Sequence, residues 1–223
     1  TQGVSSAASD VYKRQMQDHD LLEFRLAEVR TAMQSLPDDS LVYYEDAGFY
    51  TRSFAETVRA RLLPQIDVYG MNEDELQEYV GRSVNLLDQS DVIRALHEAQ
   101  MIIPARALVV HTRYWAIATG PDAGRHRAAL DSAVRVAATR YRIGDRLTER
   151  DVEETSDLPR HGGGQALVAA VEDALPDAVG VAAFSLDVAS PTTVGLGDTF
   201  VGGFLAGAAV SYTHLTLPTI LLV

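Results

Sequence analysis

Cysteine is absent from the 223 residues, which excludes disulfides, thiolate nucleophiles and Cys-ligated zinc. Lysine is nearly absent as well, since Lys13 is the only one. There is no uninterrupted apolar run of about 18 residues, so no membrane-spanning helix is predicted. No basic stretch followed by an apolar stretch opens the sequence, so we expect no secretory signal and a cytoplasmic protein.

Positive charge is scarce. The sequence has 19 Lys and Arg against 31 Asp and Glu, giving a formal net charge of −12. No basic cluster stands out, and phosphate backbones require a positive surface, so we expect no nucleic-acid partner. What the sequence does contain is 47% hydrophobic residues, which is typical of a globular chain with one substantial core.

Both ends of the sequence resemble translated adapter DNA. Residues 5–15 back-translate to a string similar to a transposase adapter used for sequencing libraries, and residues 210–219 back-translate to its reverse complement in another frame. Complementary matches at both ends are hard to obtain by chance. We therefore expect adapter-derived tails at 1–15 and 210–223, around a segment at 16–209 that is an internal piece of a longer gene. The alternative is a natural N-terminal tail and a natural C-terminal strand.

Between the ends, helical and strand patterns alternate. Hydrophobic periodicity and turn residues predict strands at 41–45, 66–69, 106–112 and 179–186, and helices at 20–36, 53–63, 73–82, 91–100, 127–140 and 165–175 and from about 197 onward. The glycines at 162–164 are interpreted as a linker. The alternation predicts an α/β fold, with a mostly parallel sheet covered by helices on both faces.

Ligands of such sheets bind beyond the carboxyl ends of the strands. Glu45, Asn72, His111 and Gly195 each follow a predicted strand. We therefore expect the functional residues to gather at that edge.

The most informative segment is Gly195-Leu196-Gly197-Asp198, ahead of an apolar run of small residues. The glycines allow a tight turn, and the free N–H groups at a helix start attract anions. The carboxylate of Asp198 is suited to accept a proton from a hydroxyl that attacks a phosphoryl group. The alternative is a glycine turn in which Asp198 only caps the helix.

The heptapeptide Thr-Val-Gly-Leu-Gly-Asp-Thr at 193–199 resembles the C-terminal motif of the ADP-dependent glucokinases and phosphofructokinases, members of the ribokinase-like superfamily. The resemblance implies a ribokinase-like fold. It also implies that Gly195, Leu196 and Gly197 form an anion hole and that Asp198 is the catalytic base, close to the metal.

Asn72 and Glu75 have Asn-x-x-Glu spacing at a predicted strand-to-helix turn. Oxygen ligands there suit Mg²⁺, which keeps several waters and bridges nucleotide phosphates. The same spacing is a capping box, with Asn as N-cap and Glu three residues later. The segment at 72–75 also resembles the superfamily's Asn-x-x-Glu motif, whose glutamate acts on the magnesium shell. We therefore expect Asn72 and Glu75 to serve both as a capping box and at the magnesium site.

Glu45 resembles the glutamate of the family's His-x-Glu motif, and it lies 30 positions before Glu75. The histidine of that motif is Tyr43 here, a departure that weakens a role for this position, although tyrosine can still donate a hydrogen bond. The resemblance places Mg²⁺ near Glu45, Glu75, Asn72 and Asp198. The alternative for Glu45 is a solvent-facing side chain.

His111 and Thr112 are followed by Tyr114 and Trp115, and the pair resembles a family segment near the nucleotide. A histidine is able to hydrogen-bond a phosphate or ribose, and Tyr114 or Trp115 is able to stack on adenine. The alternative is that these side chains simply belong to the core.

The resemblance implies transfer of the β-phosphoryl of ADP to glucose or fructose 6-phosphate, giving AMP and a sugar phosphate. A second hypothesis is an ATP-dependent ribokinase-like kinase. A third is an inactive nucleotide-binding fragment, because the family's N-terminal lid and extreme C-terminus are not found in the sequence and the sheet is expected to be incomplete.

Overall fold

The computed structural model describes residues 19–48, 52–211 and 220–222. In chain order, the helices are α1 His19–Gln34, α2 Arg52–Leu62, α3 Glu73–Val80, α4 Gln89–Ile102, α5 Arg127–Ile143, α6 Glu149–Ser156, α7 Gly162–Ala174 and α8 Leu196–Ser211. The strands are β1 Val42–Glu45, β2 Val68–Asn72, β3 Ala107–His111, β4 Trp115–Thr119, β5 Ala178–Ala182 and β6 Ile220–Leu222.

The strands form one sheet in the order β5-β4-β3-β2-β1-β6. β6, β1, β2 and β3 are parallel, whereas β4 pairs antiparallel with both β3 and β5. Glu45 pairs with Gly70, and Asn72 pairs with His111, so the carboxyl ends of β1, β2 and β3 meet at one edge. This arrangement confirms the predicted α/β class with a mostly parallel sheet.

Helices cover both faces of the sheet, and each face has its own apolar core. On one face α1, α2, α3, α4 and α7 pack on residues such as Tyr69, Leu108, Val110 and Ile117. On the other face α5 and α8 pack on Tyr43, Val68, Val109 and Ala118. Side chains alternate across each strand, so neighbouring strand residues serve opposite cores. The helical layers on both faces explain why the strands read as continuous apolar runs.

Side-chain caps set the starts of several helices. The Asp88 carboxylate accepts from the Asp91 amide at α4, and Thr148 forms a capping box with Asp151 at α6. At α7, the ring of His161 accepts from the Gly164 amide. Each cap satisfies an amide that has no acceptor within its own helix.

Three features differ from the sequence prediction. β4 was missed, because its fully buried run Trp115–Thr119 follows β3 after a very short turn and lacks the alternation of a half-exposed strand. α6 was missed as well, although Thr148 and Asp151 carry its capping-box signal. The linker interpretation of residues 162–164 is wrong, because these glycines form the first turn of α7.

Gly164 explains this last correction. A Cβ atom on Gly164 would lie 2.3 Å from the Tyr114 carbonyl oxygen, so only glycine allows the start of α7 to pack against the turn after β3. Gly164 therefore serves a close backbone approach rather than flexibility.

The predicted tail at 1–15 lies outside the described residues, while Ile220–Leu222, within the predicted tail at 210–223, pairs with β1 as strand β6. The adapter interpretation stays a prediction. Within the described ranges, no helix has the length and apolar character needed to cross a membrane.

Candidate active site

The turn before α8 is built around Gly195. Its φ of 73° lies in the left-handed region, which strongly favours glycine. The Gly195 carbonyl accepts from the amide of Thr199 at 3.1 Å and from its hydroxyl at 2.8 Å, which closes the first helical turn. Because α8 begins at Leu196, the first amides of the helix have no intrahelical acceptor, and the positive end of the helix dipole lies at the same place. The turn is therefore able to bind an anion.

Asp198 lies in the first turn of α8, and its side chain is exposed. Its carboxylate takes no hydrogen bond or ion pair from the part of the chain that the structure describes. A cap would accept from an amide of the turn, so the capping alternative for Asp198 is not supported. A free carboxylate beside an anion-binding turn is able to accept a proton.

His111 joins the end of β3 to both β1 and α8. Its Nε2 lies 2.7 Å from Oε1 of Glu45, and its ring stacks on Phe200 with centroids 4.4 Å apart. A Cβ on Gly197 would lie 4.0 Å from Cε1 of His111, so the histidine also borders the glycine turn. The structure thus brings three predicted site residues, Glu45, His111 and Gly197, into one corner.

Tyr43 stands where the His-x-Glu motif has its histidine, and it contacts the glutamate of that motif, Glu45. Its hydroxyl donates to Oε2 of Glu45 at 3.3 Å, and burial raises the pKa of Tyr43 well above its usual value. A Cβ on Gly70 would lie 2.1 Å from Oε2 of Glu45 and 2.3 Å from the Tyr43 hydroxyl. Gly70 in the neighbouring strand therefore leaves the room that this pair occupies.

The capping box at α3 is present in full. Oδ1 of Asn72 accepts from the amides of Asp74 and Glu75 at 2.7 and 3.2 Å, while Oε2 of Glu75 accepts from the Asn72 amide at 2.8 Å. Burial raises the pKa of Glu75 to about 7, and the charges of Asp46 and Glu45 add to this. The Asn72 amide and His111 act in the opposite direction. Glu75 therefore belongs to the same electrostatic neighbourhood as Glu45 and His111.

Asp46 is a buried carboxylate that the sequence analysis missed. Its side chain is 3% exposed and accepts from the Tyr69 hydroxyl at 2.6 Å, from the Tyr79 hydroxyl and from the Gly48 amide. These bonds join the end of β1 to β2 and α3. An acid directly after Glu45 was the only sequence signal, because the two tyrosines lie far along the chain.

The oxygen atoms of the site differ in how free they are to hold a divalent cation. In the described ranges, no three His, Asp or Glu side chains are grouped as metal ligands. Both oxygens of Glu45 have protein partners, and Oδ1 of Asn72 accepts two amides. Oε1 of Glu75 has no described partner. This set fits a magnesium ion held through water, since Mg²⁺ keeps several waters, but it does not fit Asn72 as a direct ligand.

A family model described as the ADP-specific phosphofructokinase/glucokinase conserved region matches residues 11–206. The chain belongs to this family.

Solved structures with a similar fold agree with the family match. A hypothetical ADP-dependent phosphofructokinase from Pyrococcus horikoshii OT3 is 19% identical with a TM-score of 0.69, covering 86% of this chain and 48% of its own. A phosphofructokinase from the same organism with AMP is 19% identical with a TM-score of 0.71 and the same coverage. An ADP-dependent kinase complex with fructose-6-phosphate and ADPβS is 16% identical with a TM-score of 0.69, covering 88% and 50%.

The chain spans about half the length of these solved structures. At such identities the likeness establishes the fold alone, and it agrees with the fold that the resemblance implied. No curated protein matches the chain.

The predicted nucleotide contacts of two residues, Trp115 and Thr112, are not supported by the structure. The indole of Trp115 is fully buried, and its Nε1 donates to the Leu86 carbonyl at 2.6 Å, so no ring face is available to adenine. The Thr112 hydroxyl donates to the Trp115 carbonyl at 3.0 Å and accepts from the amides of Tyr114 and Trp115. A hydroxyl has one donor and two acceptor sites, so Thr112 has none left for a ligand.

Tyr114 is the aromatic side chain of this segment that remains partly exposed. Its ring lies 5.0 Å from the His161 ring, and the Arg113 guanidinium lies 4.7 Å from its centroid. Of the two aromatic candidates for stacking on a base, Tyr114 and Trp115, it is therefore Tyr114 that stays a prediction.

Proposed function

We propose that the chain forms the nucleotide-binding and phosphoryl-transfer part of an ADP-dependent sugar kinase. It would transfer the β-phosphoryl of ADP to a hydroxyl of glucose or fructose 6-phosphate and release AMP. The observation that carries the proposal is the start of α8, where Gly197 of the glycine turn borders His111 of the Glu45–His111 pair and the exposed Asp198 follows in the same turn.

The residues of this corner take complementary roles. The first amides of α8 bind the transferring phosphoryl group, and the helix dipole stabilises its charge. Asp198 accepts the proton of the attacking hydroxyl. His111 orients Glu45 by the 2.7 Å contact, while the capping box fixes Glu75 at the start of α3. Positioning and charge stabilisation dominate phosphoryl transfer, so fixed side chains suit this reaction.

Magnesium is part of the proposal. Held at this corner, Mg²⁺ would supply neutralisation of the negative charge that develops during transfer. Oε1 of Glu75 and the carboxylate of Glu45 would hold it through water. Asn72 contributes as the cap that places Glu75 rather than as a ligand.

The choice of ligands rests on relatives. One similar structure carries AMP, and another carries fructose-6-phosphate and ADPβS. Since the relatives named include phosphofructokinases and the family model covers glucokinases too, both acceptors belong to the proposal. We also propose a cytoplasmic enzyme of glycolytic carbohydrate metabolism without a nucleic-acid partner, in line with the net charge of −12.

Nucleotide titration tests the proposal. Calorimetry would compare ADP–Mg²⁺ with ATP–Mg²⁺, and formation of AMP would be measured with each acceptor. We expect binding of ADP–Mg²⁺ and release of AMP. A preference for ATP overturns the ADP proposal in favour of an ATP-dependent kinase, and a folded chain that binds neither nucleotide overturns both.

Asp198→Asn tests the base. The variant keeps the size of the side chain but not its basicity, so turnover should be lost while ADP–Mg²⁺ binding is retained. Asp187→Asn, at an exposed position before the glycine turn, is the matched control and should leave both unchanged. Retained turnover in Asp198→Asn would remove this residue from the base role.

A binding function without catalysis is the second candidate. It is favoured by the metal side of the site, since no three His, Asp or Glu side chains of the described ranges are grouped as metal ligands. Binding of ADP–Mg²⁺ with no AMP formation by the wild-type chain would support it.

A further inference from the structure

Arg140, near the end of α5, reaches the peptide that precedes the glycine turn. Its Nη1 donates to the Val194 carbonyl at 2.6 Å, although the two residues are 54 positions apart. Nε and Nη2 donate to Oδ1 of Asp145 at 3.0 and 2.7 Å. The side chain of Arg140 is 19% exposed, whereas that of Asp145 is 77% exposed. The guanidinium is therefore held between an exposed carboxylate and a half-buried turn.

The guanidinium also lies directly against Gly195. A Cβ atom on Gly195 would lie 2.8 Å from Nη1 and 3.5 Å from Cζ of Arg140. A second bond joins the same two segments, because the Thr192 amide donates to the Tyr141 carbonyl at 3.1 Å. Residues 192–195 are thus docked on the end of α5 at two consecutive helix positions.

The bond to Val194 fixes more than one carbonyl. A peptide unit is planar and trans here, so its C=O and the following N–H point in opposite directions. With the Val194 carbonyl held on Arg140, the Gly195 N–H is fixed on the opposite side of the same plane. Peptides beside a glycine rotate easily, since glycine populates both signs of φ. An anchored carbonyl removes this freedom.

We propose that Arg140 is a positioning residue of the phosphoryl-binding turn, which it holds through the Val194 carbonyl, and that Asp145 keeps the guanidinium in place. The inference rests on the proposed function, because it takes the turn before α8 as the site of the transferred phosphoryl group. Arg140 does not itself touch the nucleotide. It fixes the donors before binding, so that binding does not bear the cost of ordering them.

Arg140→Met tests this directly, because methionine keeps much of the stem but donates no hydrogen bond. We expect amide exchange in residues 192–199 to increase about tenfold, the effect of losing one hydrogen bond from a charged donor. Affinity for ADP–Mg²⁺ should fall by about the same factor. Affinity for AMP should stay unchanged, since AMP lacks the β-phosphoryl group that the turn binds.

Three further variants sharpen the experiment. Arg140→Lys keeps the charge but loses the planar pair of guanidinium donors. Its amide exchange and ADP–Mg²⁺ affinity should therefore lie between those of wild type and Arg140→Met. Asp145→Asn leaves the bond to Val194 available and should give a smaller effect. Arg150→Met is the matched control, because Arg150 is 85% exposed and its ion pair is with Glu154 of the same helix, so it should change nothing. If Arg140→Met does not fold, the same exchange and affinity measurements are made on Arg140→Lys and compared with wild type.

The outcomes separate the two proposals. Unchanged exchange in residues 192–199 of the Arg140 variants overturns the positioning role. An equal loss of ADP and AMP affinity overturns it as well, since that indicates general damage. If wild type binds no ADP–Mg²⁺, the proposed function fails, and a local rise in exchange in Arg140→Met then supports the docking of the turn alone.

Discussion

His111 and Glu45 make a 2.7 Å contact across an intervening strand. The sheet order places β2 between β1 and β3, so the two side chains meet above β2, where Gly70 pairs with Glu45 and carries no side chain. Phe200, in the first turns of α8, stacks on the His111 ring. The His111 imidazole therefore connects the proposed metal side of the site to the proposed phosphoryl-binding turn.

His111→Ala should weaken ADP binding about tenfold in the presence of Mg²⁺, the usual effect of losing a residue that orients a metal-site carboxylate. Binding in the presence of EDTA should be unchanged, because the contact acts through Glu45. Calorimetry under both conditions measures the difference. His97→Ala is the control, since His97 is exposed on α4.

The EDTA condition also separates two roles of His111. An equal loss of affinity with and without Mg²⁺ would assign the histidine to direct contact with the nucleotide, as the sequence resemblance suggested. Unchanged binding in both conditions would remove it from the site.

Local sequence signals predicted the parts of the site that depend on neighbouring residues. The Asn72–Glu75 box and the Gly195 turn are set by spacing of three residues or fewer, and both are present. The parallel sheet followed from the alternation of strands and helices, and its register brought Glu45 and His111 to the same edge. Periodicity and turn chemistry were sufficient for these features.

The sequence could not reveal contacts between distant segments. Arg140 and Val194 are 54 positions apart, and Asp46 and Tyr79 are 33 apart, so no local pattern joins them. Trp115 was misassigned because an aromatic after a strand end suits a ligand contact or a buried strand equally well. Tertiary packing decided in favour of burial.

Thr112→Val should destabilise the chain by about 1–3 kcal/mol, because it removes a hydroxyl that makes three hydrogen bonds in the β3–β4 turn. Thr112→Ser keeps these bonds and should restore most of the stability. ADP–Mg²⁺ affinity should be unchanged in both variants. Urea unfolding and calorimetry measure the two quantities. A loss of ADP affinity in folded Thr112→Val would return this residue to the nucleotide site.

His126 should make the chain sensitive to acid. Its side chain is 1% exposed, and neither ring nitrogen has a hydrogen-bond partner in the described ranges. Burial lowers the pKa of His126 from 6.5 to about 4, with Arg125 adding to the effect and Asp122 opposing it. A depressed pKa means that the unfolded chain binds the proton more tightly. The contribution of neutral His126 to the free energy of unfolding is therefore full above pH 6.5, and it is lost as the pH falls toward 4.

His126→Leu removes this titration. The free energy of unfolding should change less between pH 6.5 and pH 4.5 in the variant than in wild type, as measured by urea unfolding at both pH values. At pH 7 the variant should be at least as stable as wild type, because it no longer buries two unpaired ring nitrogens. His97→Leu, on the exposed side of α4, should keep the wild-type pH dependence. An identical pH dependence in His126→Leu would show that this histidine does not titrate on unfolding.

Two adjacent glycines of α8 should respond in opposite ways to alanine. Gly203 faces α5, where a Cβ would lie 2.9 Å from Cα of Ala133 and 3.1 Å from the Ser132 carbonyl oxygen. Gly202 faces open space, since no described atom outside its own stretch of α8 lies within 4 Å of its Cβ position. Because backbone atoms cannot move independently, Gly203→Ala must push α8 away from α5 and should cost about 1–3 kcal/mol. Gly202→Ala should instead stabilise the helix by up to about 1 kcal/mol.

The same pair tests whether the α5–α8 contact places the site. A shift of α8 moves its first turn relative to Arg140, so Gly203→Ala should also weaken ADP–Mg²⁺ binding, whereas Gly202→Ala should not. Thermal unfolding and calorimetry on both variants supply the comparison. If Gly203→Ala lowers stability but leaves ADP affinity intact, the turn is held by its own contacts with the end of α5, and the packing of the helices further along contributes only to stability.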